Sequence, residues 1–552
     1  MTSTVAELIV SYMERLGIRH IFGMPGAHIL PVYDALYDSD IQSVLAKHEQ
    51  GASFMAGGYA RASGGIGACI TTAGPGATNL VTGIANAYAD RQPVLAITGE
   101  TSTHIFGRGG LQESSGEGGS IDQIALFQGI TRYNRIVERT DYLGNVLNRA
   151  SRILLADNPG PVLLSLPFNV QKEKVDEAVL EDVMTRAHVQ THEPSCANAE
   201  DIVDMLLKAR HPVIVAGYGC LRADAQEPLG RLSRWLNIPV ASSLKAKGVV
   251  DESSGLSLGS LGVSSSGKAY RHIVEQADLV MVLGAAFNER TSYVWDRELL
   301  NGRKVIQIDV NPEQLEKVFK ADLAIQGDVR KILDDVLRHL ETRGVAQAGE
   351  PGLEAGEGGD SGRGYEVFQS GFALVEKFFR ELEQHFADDA VVFDDNIIFA
   401  QNFYRVSSRA RYYPNSGISS LGHAIPAAIG AQFHEPAPCF AVLGDGGFQM
   451  CCMEIMTAVN YHRPLNILLF NNATMGLIRK NQHQQYEQRF IDCDFINPDY
   501  AKLADSFGIN HVFVDTEAAV EQLFRETDLV RGINLIEMPI DRNSFPNYSS
   551  RR

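Results

Sequence analysis

The chain has 552 residues, 45% of them apolar and 21% charged, so it is too long for one hydrophobic core, too apolar for general disorder, and of a length that suggests about three or four domains. A formal charge of −18 argues against nucleic acid or an anionic membrane surface as the main partner, and solubility is the plainer reason for it. Seven dispersed cysteines (Cys69, Cys196, Cys220, Cys439, Cys451, Cys452 and Cys493) without paired zinc spacing, an amphipathic amino end and no run of the ~18 apolar residues that a membrane span needs lead us to expect a cytoplasmic protein with reduced thiols.

Residues 1–171 alternate helical and apolar segments: a helix over 5–16, the strand HIFG, a helix from PVYDAL, the strand GACITT, the helix TNLVTGIANAYAD and the strand PVLAITG. Such alternation predicts a parallel sheet covered on both faces, with ligands beyond the carboxyl ends of its strands. Three loops collect there. They are Gly23-Met24-Pro25-Gly26-Ala27-His28, then His48-Glu49-Gln50, then Thr72-Ala73-Gly74-Pro75-Gly76-Ala77-Thr78-Asn79.

The stretches FGMPGAHILPVYDAL, KHEQGASFMAGGYARASG and TTAGPGATNLVTGIANAYAD resemble the pyrimidine-binding domain of the acetolactate synthase group of thiamine diphosphate enzymes. With the carboxyl-terminal motif described below, the resemblance covers essentially the whole chain. It implies that Gly26, Ala27, Glu49, Thr72, Pro75, Gly76 and Asn79 line the cofactor. It also implies that Glu49 hydrogen-bonds the pyrimidine ring nitrogen, which favours the imino tautomer and frees the amino group to take the proton from the thiazolium carbon. The bland reading of Glu49 is a helix-start glutamate favoured by the helix dipole. His28 is of a type suited to proton transfer near neutral pH, as are His104 and His423, although an exposed or structural histidine is commoner. In FGRGGLQESSGEGGSIDQI, the resemblance places Gln112 facing cofactor and substrate, and a surface loop residue is the alternative.

After NPGPVLLSLPFNV, a polar link of roughly 172–196 is expected, followed by a second alternating unit over 197–343 with strands in ARHPVIVAGYGC, NIPVASS, DLVMVLGAAF and KVIQIDVN. GYGC alone is a weak nucleotide signal. LGSLGV and GAAFNERT resemble stretches that line FAD in acetolactate synthases. Two departures leave FAD open: Asn158 stands where FAD-binding members commonly carry Arg, and Phe287-Asn288-Glu289-Arg290 replaces their Phe-Asp-Asp-Arg.

Residues 344–364 are rich in Gly, Glu, Ala and Ser and read as a flexible linker. A third unit, 365–552, follows with AVVFDD and SGISSLGHAIPAAIGAQF. It then presents the apolar strand CFAVL, Gly444-Asp445-Gly446, a helical spacing over 448–461, the strand LNILLF and Asn471-Asn472. A hard divalent cation wants oxygen ligands and usually keeps substrate phosphate oxygens in its shell. Asp445, the Asn472 side chain and the Thr474 carbonyl can supply the protein half for Mg²⁺. Gly444, Gly446 and Gly447 let the backbone close on a diphosphate. The same resemblance adds Met475, Gly476 and Leu477 after the metal site. It places Ser420 and Leu421 under the bent cofactor, and Asn396 weakly in the diphosphate loop, where Asp395-Asn396 departs from the family's Gln-His.

The fold class implied is α/β, with three doubly wound domains: pyrimidine-binding, central and diphosphate-binding. The activity implied is decarboxylation of a 2-keto acid, pyruvate first, and carboligation to a second carbonyl. The expected assembly is a homodimer or tetramer whose sites lie between subunits, Glu49 from one chain meeting Asp445 of another. Asn481 stands where strict members carry a Trp that selects the second keto acid, so a larger or more polar acceptor is the competing expectation. Examples are carboxyethylarginine synthase-like, sulfoacetaldehyde acetyltransferase-like and cyclic diketone hydrolase-like members. Arg479 could pair with a substrate carboxylate or lie on a helix surface. A non-catalytic homologue has no need of Glu49 or of the Asp445/Asn472 pair.

Overall fold

The computed structural model describes residues 1–185, 198–348, 368, 371–434, 437–546 and 548. Most of the linker, the expected start of the third unit near Tyr365, and Cys196 lie outside them. The other six cysteines are free thiols. Among the described residues no helix is long and apolar enough to cross a membrane.

Three six-stranded sheets organise the described chain, and every pairing in them is parallel. The first runs Gln42–Leu45, His20–Gly23, Gly67–Thr71, Val94–Glu100, Val162–Pro167, Tyr133–Ile136 from edge to edge. The third runs Arg411–Pro414, Val391–Asp394, Cys439–Gly444, Leu465–Asn471, Ile533–Pro539, Asn510–Phe513. Counted along the chain, both follow the order second, first, third, fourth, sixth, fifth. The central sheet runs Ser257–Ser260, Val240–Ser242, Pro212–Ala216, Leu279–Leu283, Lys304–Asp309, Leu323–Gln326, the order third, second, first, fourth, fifth, sixth of dinucleotide-binding sheets. The fold is therefore α/β with three doubly wound units.

Interior strands are apolar because both of their faces are covered: every residue of Val94–Glu100 and of Val162–Pro167 is buried. Part of the expected link instead belongs to the first unit. Lys174–Asp176 pairs antiparallel with Thr2–Thr4, and Thr4 then caps the helix Val5–Arg15 in a reciprocal box with Glu7. A three-residue strand on the outside of a domain has no apolar run to announce it.

In the first and third sheets the strand order reverses between the first and third strands of each unit. The loops leaving those strands carry part of the anticipated cofactor set, 24–28 and 72–79 in the first unit, 395–397 and 444–447 in the third, while Glu49 and Leu421 follow the second strand of their units and Asn472 the fourth. Topology thus puts each set in one crevice, where ligands of open α/β sheets bind.

The first and third units also pack on each other within one chain, through the helices Glu49–Ser63 and Ala424–Ala431. A Cβ at Gly58 would overlap the Ala427 carbonyl and one at Gly430 the Met55 carbonyl, so glycine at both positions allows the two backbones to touch. Met55, Tyr59, Ala427 and Ala428 share one continuous core across the two units.

Candidate active site

The first crevice gathers anticipated first-unit residues into two bonded sets, Thr72 with Gln112 and His28, and Glu49 with Asn79. The Gln112 side-chain oxygen accepts from Thr72 Oγ1 at 3.2 Å and lies 3.2 Å from His28 Nδ1, a bond that needs the imidazole proton on Nδ1. Gly26 sits against the Thr72 side chain so closely that a Cβ would displace it. Glu49 opens its helix with its side chain half-buried, and its Oε2 accepts from Asn79 Nδ2 at 2.9 Å. Pro75 and Gly76 begin the short helix Pro75–Asn79 after the left-handed Gly74. Ala27 is exposed beside them. Of the other histidines weighed, His104 is exposed in a 3₁₀ turn, Thr103–Ile105, while His423 is fully inside, 1% exposed, in a T-shaped contact with Phe54. Burial holds the His423 imidazole down at about 3, so it stays neutral.

Gln112 has a left-handed backbone, φ 57°, which its neighbours maintain. The Glu113 carboxylate accepts from the N–H groups of Gly107, Gly109 and Gly110, gathering that turn. Beneath it Glu100, fully buried, accepts from Thr101 and Ser114 N–H at 2.7 and 3.0 Å, and Ser114 Oγ in turn accepts from Gly74 N–H. Burial outweighs those donors and pushes the Glu100 carboxyl up to about 7, while its second oxygen finds no partner among the described residues. Because the folded value lies above the ordinary one of 4.5, the stabilisation is complete below about pH 4.5 and is lost as pH rises through about 7. Glu100→Gln keeps the acceptor without the charge. Its thermal midpoint should match the parent near pH 5 and exceed it near pH 8, by a difference on the order of 2–3 kcal/mol; a gap that does not widen with pH contradicts this account of Glu100.

The second crevice is built on Asp445, 1% exposed at the end of Cys439–Gly444. Its Oδ2 accepts from Asn472 N–H (3.0 Å), Ala473 N–H (2.6 Å) and Asn497 Nδ2 (2.8 Å), whereas Oδ1 accepts only from Gly446 N–H (2.9 Å). The carboxylate therefore ties the ends of two strands together and keeps one lone pair of Oδ1 unused. Burial raises its proton affinity against the four donors. Asn472 Oδ1 is steadied by Thr474 N–H at 3.1 Å, and the Thr474 hydroxyl turns away to the Cys493 carbonyl. Thr474 can offer a cation its backbone oxygen. A carboxylate, an amide oxygen and a carbonyl in one turn form a hard donor set, which fits Mg²⁺ and suits no soft metal.

Around that set, a Cβ at Gly446 would press on Met475 Sδ and one at Gly447 on Asp395 Oδ2, while Gly444 faces open space. Gly476 lies against the Asn472 amide, and Leu477 follows in the same helix, Gly476–Gln485. Leu421 and Ser420 occupy the turn facing Gly447; Ser420 Oγ is buried and unpartnered among the described residues. Asp395 shapes that turn: its carboxylate accepts from the N–H groups of Gly422, His423 and Ala424, and burial pushes it up to about 7. Asn396, in a left-handed conformation at φ 66°, points its oxygen to Arg290 and Gln401. Arg479 is buried rather than on a helix surface and pairs with Asp494 at 2.6 Å, while its Nε has no partner among the described residues.

The helical spacing over 448–461 resolves into three pieces. A helix starts at Asp445 itself and ends at Cys451, a 3₁₀ turn covers Cys452–Glu454, and a second helix runs Ile455–Asn460. Glu454 and Asn497 escape the sequence reading because their partners are distant: Glu454 hydrogen-bonds Lys47 and His48, and Asn497 bonds Asp445.

In the central unit, LGSLGV and GAAFNERT meet around a cleft of about 390 Å³ at the carboxyl ends of Pro212–Ala216 and Leu279–Leu283. Arg222 lines it and donates to the carbonyls of Arg91 and Asp157, so a guanidinium stands beside Asn158 although position 158 carries none.

Three families match the chain in tandem. The thiamine pyrophosphate enzyme N-terminal TPP binding domain covers residues 3–125, the central domain 199–336 and the C-terminal TPP binding domain 396–538. The chain belongs to the thiamine diphosphate-dependent enzyme family, in its acetolactate synthase large subunit-like group. It is 31% identical to a probable acetolactate synthase large subunit of Methanocaldococcus jannaschii, over 97% of this chain and 92% of that protein. To the acetolactate synthase isozyme 2 large subunit of Escherichia coli it is also 31% identical, over 97% and 95%. To the acetolactate synthase large subunit of Corynebacterium glutamicum it is 32% identical, over 92% and 81%. The protein is thus an enzyme that uses thiamine diphosphate.

Proposed function

We propose that the enzyme decarboxylates a 2-keto acid, with pyruvate the first choice, and joins the two-carbon unit to a second carbonyl. The observation that carries this reading is the pair of crevices: one presents Glu49 with Gln112 and His28, the other the Asp445, Asn472 and Thr474 oxygens. Thiamine diphosphate supplies the carbon nucleophile and holds the negative charge left by CO₂. Asp445, Asn472 and the Thr474 carbonyl would hold Mg²⁺ against its diphosphate, and the glycines 444, 446 and 447 would admit the phosphates. Leu421 would press the rings together, and Glu49 would hold and return a proton at the pyrimidine nitrogen. Gln112, linked to both Thr72 and His28, would orient the substrate carbonyl.

The two crevices belong to different copies of the chain in this reading, a homodimer or a pair of dimers. Within one chain Glu454, beyond the helix that begins at Asp445 and the break after it, meets the segment before Glu49. A single chain also leaves Met450 at 59%, Met453 at 58% and Leu111 at 74% exposure, next to the two crevices. A docked copy would cover such apolar groups. A flavin nucleotide is the proposed occupant of the central cleft, and the visible absorbance of the purified protein reports it.

Incubation with pyruvate, thiamine diphosphate and Mg²⁺ tests the main reading. CO₂ release with acetolactate formation is expected. No turnover of pyruvate but ligation to larger or polar carbonyls in a mass-spectrometric screen supports the second reading. That reading is favoured by Asn481, half-buried on Gly476–Gln485 where a Trp would narrow the pocket.

A further inference from the structure

Glu49 begins its helix two residues after Lys47, and the segment before it is held from another domain. Glu454, 3% exposed, reaches across from the third unit, and its Oε1 accepts from Lys47 N–H at 3.0 Å and His48 N–H at 2.8 Å. Its Oε2 accepts from Thr457 Oγ1 at 3.0 Å, which fixes the plane of the carboxylate. A Cβ at Gly51 would overlap that carboxylate, so the glycine one turn into the helix makes room for it. Nearby, Tyr461 Oη accepts from Leu45 N–H at 2.8 Å. The backbone leading to Glu49 is therefore stitched to the third unit at three positions, Leu45, Lys47 and His48, rather than left as a free loop. The His48 side chain completes the arrangement by accepting from Gln50 N–H.

We propose that Glu454 is the positioning residue for Glu49: its carboxylate clamps the two N–H groups ahead of Glu49 and fixes the angle at which that side chain leaves the chain. This rests on the proposed function, in which Glu49 enters a site completed by another copy. It adds a consequence. Glu454 closes the 3₁₀ turn that follows the helix starting at Asp445, so each chain joins the diphosphate crevice of one site to the acid of the other.

The test uses Glu454→Ala, Glu454→Asp and Glu454→Gln in the full chain. In the cofactor-free protein, amide hydrogen exchange of a peptide covering residues 45–53 should speed up about tenfold or more in Glu454→Ala and stay near the parent in Glu454→Gln, which keeps an acceptor oxygen. In the loaded enzyme, exchange of the cofactor's reactive-carbon proton, per bound cofactor, should slow by about tenfold to a hundredfold in Glu454→Ala, with KM nearly unchanged. Glu454→Asp, one methylene short, should fall between, and it decides the matter if the alanine variant does not fold. Unchanged amide exchange, or a parent-like proton exchange rate in both Glu454→Ala and Glu454→Asp, overturns the clamp. Glu49→Gln is the control. If it too leaves the proton exchange untouched, the catalytic reading of Glu49 fails; if it abolishes the exchange while the Glu454 variants do not, the clamp alone fails.

Discussion

Glu49→Gln should lower kcat by about 10²- to 10⁴-fold, the range for losing a positioned acid–base group, while thiamine diphosphate and Mg²⁺ still bind. The substitution keeps the shape of the side chain and an oxygen that can accept from Asn79 Nδ2, so the crevice around Thr72, Gln112 and His28 stays assembled. What is lost is the ability to hold a proton. Steady-state kinetics beside a direct cofactor titration separates the two. A variant that binds cofactor normally and turns over within a few-fold of the parent removes Glu49 from the chemistry and returns it to the helix-start reading.

The interior of the fold is legible in the sequence because a strand covered on both faces must be apolar along its length. HIFG, GACITT, PVLAITG, CFAVL and LNILLF all mark interior strands. The strands that escape are those at sheet edges: Gln42–Leu45, Tyr133–Ile136, Ser257–Ser260, Leu323–Gln326, Arg411–Pro414 and Asn510–Phe513. Each is short, mixed in polarity and half-covered, as edge strands are. Ile533–Pro539 is interior, yet Asn534 and Glu537 interrupt its apolar run; they bond Asn466 and Asn471 across the sheet. Long-range satisfaction of that kind cannot be read from neighbours in sequence.

The same division holds at the site. Loops with dense glycine and a few polar groups announce themselves, and His28 and Thr72 come together where their loops meet at one strand reversal, with Gln112 reaching them from the loop after the fourth strand. The residues that orient those groups do not. Asp395, in a position where the family pattern is broken, holds three N–H groups of the Leu421 turn, and Glu113 holds three of the turn before Gln112. Both act on backbone, which leaves no side-chain pattern to detect.

Asp445→Asn should weaken Mg²⁺-dependent cofactor binding by more than about a hundredfold, since losing an outer-shell partner of a metal ligand already costs about 10- to 100-fold. The cofactor-free protein should be as stable as the parent, because the amide oxygen can take the place of Oδ2 for the Asn472 and Ala473 N–H groups and the buried charge disappears. Isothermal titration with thiamine diphosphate at fixed Mg²⁺, alongside thermal unfolding of the cofactor-free protein, reads both halves. Undiminished binding would mean that the diphosphate and cation are held elsewhere.

The most direct measurement mixes the two damaged chains. Glu49→Gln and Asp445→Asn subunits are each nearly inactive alone; unfolded and refolded together in equal amounts, they should form mixed dimers that contain one intact site from the undamaged halves. Activity should then return to about a quarter of the parent level. No recovery, with mixed dimers demonstrated by mass, would show that Glu49 and Asp445 serve the same site from within a single chain.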